Sequence, residues 1–164
     1  MEMRHNMTDN SQPEIVNKQD FKVIGIKTRG NNEGGELKAV WEQFNERAQE
    51  LRAVVTGDAF GLMDNFDYEN GEFDYLAGME VESDEEVPDG MEVWQVLAQN
   101  YAVFPARLSN LMDAYRATES WLSSSPYRRA PGPEFERYGE EFDPGDPESP
   151  LHLYIPVEPL AGGE

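Results

Sequence analysis

Two stretches of this chain can be laid over one another, and that match constrains the fold more than any other feature. Phe60-Gly61-Leu62-Met63 takes the place in one half that Phe135-Glu136-Arg137-Tyr138 takes in the other; Phe60 to Val81 is 21 positions and Phe135 to Val157 is 22. Both stretches alternate with the period of two expected of a half-buried strand, and each leads through turn residues to a second strand. Ahead of each hairpin lies an apolar stripe at helical spacing. In the first half it is Leu37, Val40, Trp41, Phe44, Ala48 and Leu51, over residues 36–54. In the second it is Leu108, Leu111, Met112, Tyr115, Thr118 and Leu122, with Ser109 as the helix start. A strand region precedes each helix: 14–29, continuous or broken near Asp20, and 91–104. The order β-α-β-β thus occurs twice, at about 14–82 and 91–158, which predicts an α+β fold. Two such modules are expected to share one antiparallel sheet, with both helices on one face.

The punctuation between these elements is consistent with that order. Thr56-Gly57-Asp58 marks the end of the first helix, Asn70-Gly71 a hairpin turn and residues 83–90 an acidic loop. Pro126, Pro131, Gly132 and Pro133 stop the second helix and release an extended segment, 134–138. A loop at 139–150 leads to the last strand, 151–157. The polar residues 1–13 and the last five, 160–164, read as tails around one domain, 14–159.

Composition enters where it excludes function classes. No run approaches the ~20 apolar residues of a membrane span, and the N-terminus has no signal-peptide core, so a cytoplasmic protein is expected. There is no cysteine, and His5 and His152 are the only histidines; no metal site and no cofactor are expected. Glu140, Glu141 and Asp143 lack calcium-loop spacing and read as solvated. Thirty-three acidic residues against 13 Lys and Arg give a formal charge of -20. Such a surface repels a phosphate backbone, so direct nucleic-acid binding is not expected.

The period of two places Glu136 and Tyr138 on one strand face, a carboxylate beside a phenol. Gly61 stands where Glu136 stands in the other half, so the site would hold a single carboxylate, off to one side of a pseudo-symmetric groove. The surrounding pattern, Gly-Pro-x-Phe-Glu-x-Tyr at 132–138 followed by Phe-Asp-Pro at 142–144, resembles the GyrI-like small-molecule-binding family. That family includes the effector-binding domains of AraC-type and MerR-type multidrug regulators. The Trp41 helix, Pro88-Asp89-Gly90-Met91, Asn100-Tyr101-Ala102-Val103-Phe104, Trp121-Leu122 and Ile155-Pro156-Val157 extend the resemblance over about 14–159. It implies a curved antiparallel sheet with two long helices on one face and, between them, an aromatic ligand groove whose glutamate, here Glu136, pairs with lipophilic cations. Trp41, Tyr75, Trp94, Tyr115, Tyr138 and Tyr154 are the expected walls. Tyr138 has the best local argument, and Tyr154 the weakest, because Leu151, Leu153 and Ile155 alternate with it. With no helix-turn-helix in view, the chain is expected to be an effector-binding domain alone. The resemblance also implies two alternatives. One is a hydrolase of strained, cyclopropane-bearing natural products, with Glu136 as general base and Tyr138 as hydrogen-bond donor or acid. The other is a protein-interaction role such as gyrase inhibition, through the acidic loop 80–89.

Overall fold

Each half opens on an apolar stretch that is split in two, and this split closes the sheet. A computed structural model describes residues 13–160; the expected tails lie outside these residues, apart from Pro13 and Leu160. In the first half, β1 (Glu14–Lys18) and β2 (Phe21–Gly30) flank Gln19 and Asp20, followed by α1 (Glu36–Arg47), β3 (Val54–Asp67) and β4 (Glu72–Val81). In the second, β5 (Glu92–Val96) and β6 (Gln99–Arg107) flank Leu97 and Ala98. They are followed by α2 (Leu111–Ser124), β7 (Tyr127–Arg129), β8 (Glu134–Tyr138) and β9 (Pro150–Pro159). All pairings are antiparallel, in the order β1-β6-β9-β8-β3-β4-β2-β5, with β7 beside β9.

That order reads the same from either end. The centre is β3 against β8, where Gly61 faces Glu136. Next come β4 and β9, then β2 and β6. At the ends the halves exchange strands: β1 runs into β2 yet pairs with β6, and β5 runs into β6 yet pairs with β2. Both ladders share one register, since Lys18 faces Gln99 and, three residues on along both strands, Phe21 faces Val96. The two ends of the sheet therefore meet.

Period two sorts the side chains. Phe60 and Leu62 point to one face, where they join Phe21, Val23, Leu76, Val96, Tyr101 and Phe135 in a buried cluster. Burial of each large side chain there contributes about 1.5–3 kcal/mol. Both helices lie on the other face. Val40 and Phe44 of α1 pack on Ile24, Ile26 and Ala77, while Ala114 of α2 packs among Phe104, Leu153 and Ile155. The seam between these two clusters runs along β3 and β8, and Glu136 sits on it.

Several boundaries differ from the sequence reading. The first helix ends at Arg47, not near residue 54. Ala48–Glu50 tighten into a 3-10 turn, and Leu51 is already extended at φ -74° and ψ 138°. Leu51 is still buried, so its apolar signal continues the helical spacing after the helix has ended. Thr56-Gly57-Asp58 does not stop a helix; it lies within β3 beside a register shift between Val54 and Ala59. The second helix begins with a 3-10 turn, Leu108–Asn110, in which the Arg107 N–H donates to Asn110 Oδ1 at 2.8 Å. Leu108 and Met112, expected on its buried stripe, are exposed, because the face that meets the sheet centres on Ala114 and Thr118, with Leu111, Tyr115, Trp121 and Leu122 packed beside them. The expected β-α-β-β order is present in both halves, its first strand broken at Gln19-Asp20, as the sequence allowed, and at Leu97-Ala98, with β7 added in the second. The turn at Asn70-Gly71 forms as expected: Gly71 has φ 76° and donates to the Asp67 carbonyl at 2.8 Å. Among the described residues no helix is long and apolar enough to cross a membrane.

Candidate ligand-binding site

Strand β8 fixes the centre of the site. Phe135 goes to the aromatic face, so Glu134, Glu136 and Tyr138 must face the helices. Glu136 is only 3% exposed, and three phenols converge on its carboxylate. Tyr75 from β4 donates to Oε1 at 2.9 Å and Tyr138 to the same oxygen at 2.6 Å. Tyr115 from α2 donates to Oε2 at 2.5 Å. Behind Tyr75, the Trp41 indole N–H of α1 donates to its hydroxyl at 2.9 Å. Burial first, and then the charge of Glu136, push Tyr75, Tyr115 and Tyr138 well above the usual phenol range. The phenols therefore stay protonated, and each can act only as a donor to the carboxylate.

Gly61 makes this convergence possible. The Tyr75 ring crosses it to reach Glu136, and a Cβ at position 61 would lie 2.0 Å from the Tyr75 hydroxyl. The pseudo-symmetric partner of the glutamate is thus a glycine because the phenol that serves the glutamate occupies that space.

Beside this cage a cleft of about 600 Å³ opens between α1 and the β8–β9 loop. Trp41 and Tyr138 form its inner wall, their rings edge to face with centroids 5.6 Å apart. Phe142 packs edge-on against Tyr138 at 4.7 Å, and Leu108 supplies an apolar rim. Lys38, Glu42 and Asn45 of α1 and Glu140 of the loop make the polar mouth. Glu140 is held there by the Gly57 N–H, at 2.9 Å from Oε2. Tyr138 belongs to both parts: its ring lines the cleft and its hydroxyl donates to Glu136.

The sequence-derived residues therefore divide. Glu136, Tyr138, Trp41, Tyr75 and Tyr115 come together, though only Trp41 and Tyr138 line the cleft. Trp94 and Tyr154 lie on the opposite face of the sheet. Tyr154 pairs with Phe135 and stacks on it at 4.6 Å, and Trp94 pairs with Val23 of the aromatic cluster while donating to Glu92. The cleft also lies along α1 and the loop rather than midway between the helices. Lys38, Glu42, Asn45, Leu108 and Phe142 were missed by sequence reasoning. For the α1 residues a signal existed: Lys38, Trp41, Glu42 and Asn45 follow the i, i+3, i+4, i+7 spacing of one helical face.

Known proteins share this architecture. The integron cassette protein VCH_CASS2 from the mobile metagenome of Vibrio cholerae superposes with a TM-score of 0.68 at 20% identity, over 90% of this chain and 96% of that one. SAV2435, solved bound to tetraphenylphosphonium, gives 0.71 at 14% identity, over 92% and 96%. At these identities the likeness is one of fold. In sequence, the chain is 33% identical over 153 residues to the transcriptional regulator BrlR of Pseudomonas aeruginosa, a match that covers 90% of this chain and 56% of BrlR. The chain thus spans a little over half the length of that relative. The model of the family described as Cass2, integron-associated effector binding protein, matches residues 14–157. With its GyrI-like fold and a match over nearly its whole described length, the chain belongs to the integron-associated effector binding proteins.

Proposed function

We propose that the chain is a cytoplasmic receptor or sequestering module for small lipophilic cations, which lie in the α1 cleft against Trp41, Tyr138 and Phe142 and are attracted by the charge of Glu136. The observation that carries this reading is a contrast within one strand. Glu134 and Glu136 both face the helices from β8 and both are buried. Glu134 is paired with the guanidinium of Arg129, whereas Glu136 receives only neutral phenol donors, and no Lys or Arg among the described residues reaches it. A buried carboxylate without a cation is costly by several kcal/mol, and an incoming cation relieves that cost. The rings add cation–π attraction of ~0.5–2 kcal/mol for each well-placed contact. SAV2435, of similar fold, was solved with a cation of this class, and the likeness to BrlR suggests that occupancy is read out in transcription.

The test is Glu136→Gln, with binding of tetraphenylphosphonium and of neutral triphenylphosphine oxide measured by calorimetry. At an effective dielectric near 20 and a separation of roughly 6–8 Å, the lost attraction is about 2–3 kcal/mol. That corresponds to a roughly 30- to 100-fold weaker cation, with the neutral compound changed less than about threefold. Equal losses for both ligands, or none for the cation, would overturn the reading.

A further inference from the structure

The α1 cleft belongs to one half, and the pseudo-twofold relation marks an equivalent place beside α2 in the other. Position by position, the residues that line the α1 cleft have partners across the pseudo-twofold relation. Trp41 follows the buried Val40 on α1 as Tyr115 follows the buried Ala114 on α2; Asn45 follows Phe44 as Glu119 follows Thr118. On the central strands, Ala59 stands two residues before Gly61 as Glu134 stands two before Glu136. The pairing Gly61↔Glu136 fixes that equivalence. Asn45 and Ala59 line the open cleft. Their counterparts, Glu119 and Glu134, are both carboxylates, and both are bound to one side chain.

That side chain is Arg129, brought in by the three-residue strand β7. Its Nη1 and Nη2 donate to the two oxygens of Glu119 at 3.2 and 2.6 Å, and its Nε donates to Glu134 Oε2. Glu134 is 8% exposed. The guanidinium thus meets a fork of carboxylate oxygens with the geometry by which arginine is recognised. The two carboxylates on β8 accept different donors: Glu136 receives phenols, and Glu134 receives a cation rich in N–H groups.

We propose that the space beside α2 is a second cation site whose ligand is the chain's own Arg129, so that each molecule takes a single external ligand, beside α1. The site is specific for guanidinium-type cations, which can donate to Glu119 and Glu134 together. The single external ligand rests on the reading of the α1 cleft; the filling of the α2 site by Arg129 does not.

Chemical rescue of Arg129→Ala tests it, with ethylguanidinium as the probe, neutral ethylurea as its isostere and Tm as the readout. Arg129→Ala lowers Tm; millimolar ethylguanidinium restores at least half of the loss, saturably. Ethylurea does not, and neither the wild type nor Arg129→Ala/Glu134→Gln responds to ethylguanidinium. If rescue fails to saturate, or is equal with ethylurea, in the wild type or in the double variant, Arg129 fills no ligand site. Should Arg129→Ala not fold unaided, refolding decides: recovery only with ethylguanidinium, while the double variant folds without it, supports the proposal, and failure of both variants overturns it. Tetraphenylphosphonium binding to the wild type reports separately on the α1 cleft. Its absence would remove the proposed function and leave the rescue result standing.

Discussion

Gly61→Ala is the sharpest perturbation of the glutamate cage, because a single methyl enters the path of Tyr75. The new Cβ would lie 2.0 Å from the Tyr75 hydroxyl, 2.5 Å from its Cζ and 3.2 Å from Glu136 Oε1. Tyr75 is 1% exposed and cannot turn into solvent. Overpacking a rigid site costs about 1–3 kcal/mol. If the ring moves off Glu136, its hydrogen bond to the carboxylate, worth ~1.5–3 kcal/mol, is lost as well. Replacing a strand glycine returns roughly 0.5–1 kcal/mol through backbone entropy. The net expectation, with the hydrogen bond lost, is a destabilisation of about 2–5 kcal/mol, a Tm fall of roughly 4–20 °C for a chain of this size. Urea unfolding of Gly61→Ala, Tyr75→Phe and the double variant would measure it. Tyr75→Phe removes the hydroxyl the methyl strikes, so the double variant should lose less than the sum of the singles by at least ~1 kcal/mol. If Gly61→Ala is as stable as the wild type, or the two changes add, Tyr75 does not hold the position described.

Two further outcomes follow from the same structure. In the unfolded chain the phenols of Tyr75, Tyr115 and Tyr138 ionise near pH ~10, whereas in the folded chain burial and Glu136 keep them protonated well above it. Their contribution to stability is therefore complete below pH ~10 and declines as pH rises, by up to about 1.4 kcal/mol per pH unit for each phenol. Urea unfolding at stepped alkaline pH, followed alongside tyrosinate absorbance, checks this; ionisation of all seven tyrosines near pH ~10 before unfolding would contradict it. The formal charge of -20 predicts no measurable binding of the isolated chain to duplex DNA at ordinary salt. Micromolar binding that weakens steeply with salt in an electrophoretic or anisotropy assay would count against it.

What could be read in the sequence was whatever a rigid period determines. Within β8, one buried Phe135 is enough to send Glu136 and Tyr138 to the other face, because strand alternation leaves no freedom. The helical stripes likewise brought Trp41 and Tyr115 to the sheet. Trp94 could not be placed this way: its face depends on its pairing with Val23, more than seventy positions away. Leu51 hid the end of α1 by being buried after the helix had stopped. The Arg129 cluster joins β7, α2 and β8, and neither composition nor spacing announces an ion pair formed across three elements.

The exchange of β1 and β5 has a consequence for folding and for descent. Neither half is complete alone: the first lacks the strand that borders β2 until residues 92–96 are made, and the second borrows residues 14–18 to cover β6. These contacts join residues 67–89 positions apart, about half of the 164-residue chain, which raises contact order and slows folding. A half-length ancestor with this topology would have no finished monomer. It would reach a closed sheet only as an intertwined homodimer, each copy lending its leading strand to the other. Fusion of two such copies would free one half to keep its carboxylate while the other accepted Gly61.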